Sequence, residues 1–171
     1  MPLSSLPALS RIDIATTDPA VLRVAVRLPD TVQPRAGGVT MDAVTMTNVA
    51  TETVAFPLVE TRDPADVAGL PPQVDSGVAT HAYRLSGEDL DRFDALRQSV
   101  LRRHAQGEKV SLGFGIATKE FCRAGLLPPG PLPASTYLLT SETGRYVVLT
   151  GGVDLRAEPQ VMRELLELAP C

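Results

Sequence analysis

Between Val110 and Ala117 large and small residues alternate without a break. Val110, Leu112, Phe114 and Ile116 take every second position, and Ser111, Gly113, Gly115 and Ala117 fill the positions between. Successive side chains of a β-strand point to opposite faces, so a sheet that includes this segment has one bulky surface and one nearly bare one. The bare surface calls for something packed very close: the preceding helix, a ligand or a partner chain.

The helix just upstream is equally legible. Ser86 is placed to cap it with Asp89 at the reciprocal capping-box position, and Gly107 ends the run, giving a helix over about 86–106. Leu90, Phe93, Leu96, Arg97, Val100, Leu101 and His104 fall on one side at helical spacing. Glu88, Asp89, Asp91 and Asp94 occupy the first half, and Arg97, Arg102 and Arg103 the second, which suits the helix dipole at both ends.

Elsewhere strand signals dominate. Leu22, Val24, Val26 and Leu28 alternate with Arg23, Ala25 and Arg27, and Pro29-Asp30 closes that strand. In the run from Val39 to Val49 the inward set changes from Val39 and Met41 to Val44 and Met46, a one-residue slip of the kind a β-bulge produces. Residues 53–61 read as the returning strand, with Pro57 pointing to an edge position because proline cannot donate to the ladder. Residues 62–79, with Pro64, Gly69, Pro71, Pro72 and Gly77, read as a long surface loop, followed by a short strand over 80–85. The four prolines between Leu126 and Pro133 impose an extended connection. Ser135–Thr140 and Arg145–Thr150 flank a turn and pair as a hairpin. Val161, Met162, Leu165 and Leu168 mark a short C-terminal helix over 158–168.

These elements predict an α+β fold: a mainly antiparallel β-sheet or sandwich of about seven strands, with one long amphipathic helix and a short terminal one. At 171 residues the chain suits one β-rich domain over 13–171, preceded by a Ser/Pro-rich tether over 1–12.

Charge narrows the partners. Acidic residues outnumber Lys and Arg by 20 to 16, leaving a net charge of -4 and no field that would draw in nucleic acid. Lys109 and Lys119 are the only lysines. No segment reaches the roughly 20 apolar residues that span a bilayer, so no transmembrane segment is expected. Cys122 and Cys171 are the only cysteines. Bonded, they would pin the C-terminus to the sheet edge and indicate an oxidising compartment; unbonded, they are two unrelated thiols.

Reactive chemistry finds little support. Val74-Asp75-Ser76-Gly77 matches the Asp-Ser/Thr-Gly signature of aspartic proteases, which would make Asp75 one half of a shared-proton pair. The preceding Pro71-Pro72-Gln73 is no apolar strand, and Asp-Ser-Gly also suits an ordinary turn. Cys122, His81 and His104 supply the types a thiol hydrolase needs, without a flanking pattern. None of the cysteines and histidines are spaced as close metal-ligand pairs. Gly113-Phe114-Gly115 lies inside a strand and lacks the third glycine of a dinucleotide fingerprint, so no cofactor is expected.

Leu6-Pro-Ala-Leu-Ser-Arg-Ile-Asp13, Leu22-Arg-Val-Ala-Val-Arg-Leu-Pro-Asp30 and Ser135-Thr-Tyr-Leu-Leu-Thr-Ser-Glu-Thr-Gly144 resemble small uncharacterised lipoproteins of Gram-negative bacteria. In those proteins a signal and a lipidated cysteine precede a Ser/Pro tether; this chain shows neither. The resemblance implies a periplasmic or membrane-anchored envelope protein, with a lipid anchor on the unprocessed precursor; the alternative is a cytoplasmic protein. The reading that follows is a non-enzymatic binding or assembly domain for a protein or envelope component. Its candidate surfaces are the sheet edge and the loops at 62–79 and 126–133. An alternative is a carrier whose apolar ligand sits over Ser111, Gly113, Gly115 and Ala117, and a second is a hydrolase acting through Asp75.

Overall fold

The structure is a computed structural model that describes residues 13, 15–73, 76–157 and 159–171. The expected tether over 1–12 and Asp75 lie outside the described residues.

Among the described residues, nine strands form two sheets. They are β1 (Arg23–Pro29), β2 (Val32–Pro34), β3 (Val39–Thr47), β4 (Thr51–Thr61), β5 (Val78–Leu85), β6 (Val110–Thr118), β7 (Phe121–Arg123), β8 (Pro133–Leu139) and β9 (Val147–Asp154). Seven of them build one curled antiparallel sheet in the order β6-β3-β4-β5-β1-β8-β9, and β2 pairs with β7 in a small second one. The α-helices among the described residues are α1 (Pro64–Val67), α2 (Gly87–Ala105) and α3 (Pro159–Leu166). An α+β fold with a long helix and a short C-terminal one is therefore what the chain adopts.

Pleating explains the core. Val24, Val26 and Leu28 of β1 join Phe56 and Leu58 of β4 and Tyr83 and Leu85 of β5 on the inner face. Helix α2 covers that face, and its Phe93, wholly buried, meets Phe56 edge-on at 5.4 Å between ring centroids. Full burial of such a side chain contributes about 2–3 kcal/mol. Ser86 Oγ accepts from Asp89 N at 3.1 Å, the cap expected from the sequence. On the outer face of β1, Ala25 packs with Tyr137 and Tyr146.

Three local expectations are corrected. No bulge interrupts β3: its register against both β4 and β6 is continuous, and Ala43 and Thr45 extend the inward set begun by Val39 and Met41. Small inward residues had hidden a regular strand. Pro57 does not mark an edge strand, because β4 is internal to the sheet. It sits where β4 changes partner: Thr51 to Pro57 pair with β3, and the ladder to β5 begins one residue later at Leu58. The loop over 62–79 contains helix α1, started by Asp63, whose side chain accepts from Ala65 N, and by Pro64 in its first turn.

Of the three covers expected for the bare face of β6, the preceding helix is not the one. Helix α2 packs on the bulky side, where Leu112, Phe114 and Ile116 join the main core. The small side faces outward: a Cβ built on Gly115 meets nothing within 4 Å, and one on Gly113 meets only Met46 and Val44 near that limit.

Cys122 of β7 and Cys171 are joined by a disulfide. Around it Arg123 N donates to Ala169 O and Cys171 N donates to Arg123 O. The C-terminal segment is thus held beside β7, and α3 closes a second core of Val32, Leu132 and Leu165.

Candidate functional site: a cleft between two proline-bearing loops

Arg27 and Tyr137 project from the outer face of the neighbouring strands β1 and β8, where alternation directs alternate side chains away from the main core. The guanidinium lies over the phenol ring at 5.0 Å from its centroid, and Arg27 Nη1 donates to Tyr137 Oη at 3.3 Å. Arg27 also donates to Thr80 Oγ1 and to the carbonyl oxygens of Pro71 and Pro72. A single rigid fork therefore fixes the end of one loop against the sheet.

That loop is the segment over 62–79, and the second candidate loop ends at the same place. Pro71, Pro72, Gln73 and Val78 from the first, and Pro133 at the close of the second, enclose with Arg27, Ser135 and Tyr137 a cleft of about 230 Å³. Gln73 Nε2 donates to Val78 O at 2.5 Å, and Ser135 Oγ accepts from Gly152 N. Proline rings and an aromatic face supply apolar walls, while carbonyls and the guanidinium supply orientation. Such a lining suits a short extended segment or a small amphipathic group.

The root of the same loop is anchored by Asp66, which is buried. Arg23 Nε donates to Asp66 Oδ1 at 2.5 Å, and Thr61 Oγ1 to Oδ2 at 2.7 Å. Burial opposes its ionisation. The hydrogen bonds from Arg23 and Thr61 and the charges of Arg23 and Arg84 outweigh that penalty, holding the carboxyl below its ordinary value. Tyr146 Oη donates to the Asp66 carbonyl, and burial together with the Asp66 charge pushes its phenol up to about 12. Nothing in the spacing of Arg23, Asp66 and Tyr146 announced this junction. A lone acid inside a loop carries no periodic signal.

The other residues of interest do not converge. Cys122, bonded to Cys171, offers no thiol for nucleophilic attack. His81 Nδ1 lies 2.9 Å from Glu60 Oε1, and its Nε2 is buried without a hydrogen-bond partner. His104 lies instead on the rim of a separate surface cleft of about 560 Å³, with Met46, Asn48 and Lys109. Ser111 borders that cleft, whereas Gly113, Gly115 and Ala117 border neither it nor the cleft at Tyr137. Among the described residues no three His, Cys, Asp or Glu side chains gather as a metal site. Nor is any helix among them long and apolar enough to cross a membrane. Compared with family models, curated proteins and solved structures, the chain matches none of them.

Proposed function

We propose that this chain is a non-enzymatic binding or assembly domain that holds a protein or envelope component at the cleft between Arg27, Tyr137 and the two proline-bearing loops. One observation carries the reading: two loops far apart in sequence border a single concave surface, where Arg27 fixes the end of the first against the sheet and Pro133 closes the second. Function concentrates on loops that a rigid scaffold positions. The disulfide supports an oxidising compartment, as the resemblance to envelope lipoproteins also does.

Site-specific photo-crosslinking tests this. A photoreactive residue in place of Pro72 is expected to form one discrete adduct in intact cells, which excess unlabelled protein competes away. The same residue in place of the exposed Val49 is expected to form none. Equal labelling from both positions refutes the reading.

A further inference from the structure

We infer that the segment over 1–12 adds to the open edge of β6 as an antiparallel strand, so that the chain closes this edge itself. The inference is independent of the cleft at Tyr137, since β6 borders the sheet on the side away from β8 and β9.

The edge offers backbone groups with nothing against them. Lys119 N donates to Gly38 O of the stretch leading into β3, at 2.7 Å. Bonding alternates along an antiparallel pair, so Ala117, Gly115, Gly113 and Ser111 also turn their backbone groups to β3. The intervening groups point outward. Val110 N is already taken by Glu108 O, which leaves Leu112, Phe114, Ile116 and Thr118, and no strand pairs with these among the described residues. Side chains of Leu112, Phe114 and Ile116 are only half-buried, so an added strand extends the core as well as the ladder.

The described chain begins where such a strand would end. Asp13 and Ala15 share a cleft of about 250 Å³ with Leu101 of α2 and with Val110, Ser111 and Leu112 of β6. Ala15 is held there, its carbonyl accepting from Arg97 Nε at 3.0 Å. A segment that pairs with β6 and then leads into Asp13, at the Leu112 end, runs against the direction of β6. Residues 1–12 reach about 40 Å when extended, and the stretch from Leu112 to Thr118 needs only about 23 Å.

Proline selects the register. Pro7 has no N–H to give, so its backbone must face away from β6, and the even-numbered residues then bond to it. Pro2, although even-numbered, falls past Thr118 whether Ser10 or Ile12 lies opposite Leu112. Directly opposed residues share a face, so Leu6, Ala8 and Ile12 join Leu112, Phe114 and Ile116, with Ser10 the polar member of the set. On its own β6 lacks any blunting device: it holds unbroken register with β3 and contains no proline and no charge. With the added strand the sheet ends on Pro7, a donor-free position of the kind that edge strands carry. Being covalently attached, the segment meets the edge at an effective concentration in the millimolar range, ahead of a second copy or a free strand.

Amide hydrogen exchange on the whole chain tests this. The amides of Leu112, Phe114 and Ile116 are expected to exchange as slowly as those of Gly113 and Gly115, and Ala8 and Ser10 more slowly than Leu9 and Arg11. Ser10→Pro removes a donor to β6 and is expected to speed exchange at Leu112, Phe114 and Ile116 by about tenfold or more, leaving Gly113 and Gly115 unchanged. Arg11→Pro, whose N–H points outward, is expected to change those rates by less than about twofold. Thermal unfolding verifies that both variants fold. Fast exchange at Leu112, Phe114 and Ile116 in the parent, or equal effects of the two prolines, overturns the inference. So does protection that grows with protein concentration, which would make a second copy the occupant.

Discussion

Arg23 on β1 and Asp66 in α1 form a hydrogen-bonded ion pair, Nε to Oδ1 at 2.5 Å, with 9% of the Asp66 side chain exposed. The pair ties a loop helix to the centre of the sheet, and the carboxyl is held ionised against the cost of its burial. Because the folded protein binds this proton less readily than the unfolded chain, the stabilisation is complete above the ordinary value of 3.8 and is lost as pH falls below it. Asp66→Asn is expected to flatten the acid limb of stability against pH, while lowering stability at neutral pH by leaving Arg23 without its charge partner. Urea unfolding from pH 7 down to pH 2 checks both effects.

Reducing the Cys122–Cys171 bond removes a constraint across a sequence separation of 49. Chain entropy puts its contribution at about 4 kcal/mol, and the loss is expected as a lower urea midpoint for Cys171→Ser than for the oxidised parent. The sheet core of Phe56 and Phe93 does not depend on this bridge. The near-ultraviolet signal of Phe121, beside the bridge on β7, should therefore change before the far-ultraviolet spectrum does.

Phe93→Ala empties the site where α2 meets Phe56. A cost of about 3–5 kcal/mol is expected, from lost transfer energy and the cavity left behind. Thermal unfolding of the variant reads it directly.

Arg27→Met keeps much of the packing over Tyr137 but withdraws the donors to Pro71, Pro72 and Thr80. Faster nicking of the 62–79 loop by a protease of broad specificity is expected, together with a loss of global stability of only about 1 kcal/mol. Mass spectrometry of timed digests, compared with thermal unfolding, separates the local effect from a global one.

Periodicity made β1, α2 and β6 readable in the sequence, since each carries an unmixed two-fold or 3.6-fold pattern, and the turn at 141–144 marked the β8–β9 hairpin. Where inward positions hold small residues, as at Ala43 and Thr45, the pattern weakened and suggested a slip that the backbone does not make. Pro57 misled for a different reason: an edge strand and a change of pairing partner leave the same trace in sequence, an unused N–H. Of the candidate site, the two loops were visible as proline-rich breaks. Their meeting over Arg27 and Tyr137 was not, because sheet order is decided by long-range pairing that local composition does not encode. Arg97 read as part of an apolar stripe, yet its guanidinium is buried and donates to Ala15 O at 3.0 Å, a role that only the folded chain reveals.

The handover at Pro57 also determines how the molecule would bear load. Its ladders to β3 and to β5 occupy successive stretches of β4 and do not overlap. Tension applied at β6 therefore cannot pass through one continuous array of interstrand bonds. It is carried across the Pro57–Leu58 peptide itself and through the Phe56–Phe93 contact beneath, so that this junction works as a mechanical joint between two stiff plates.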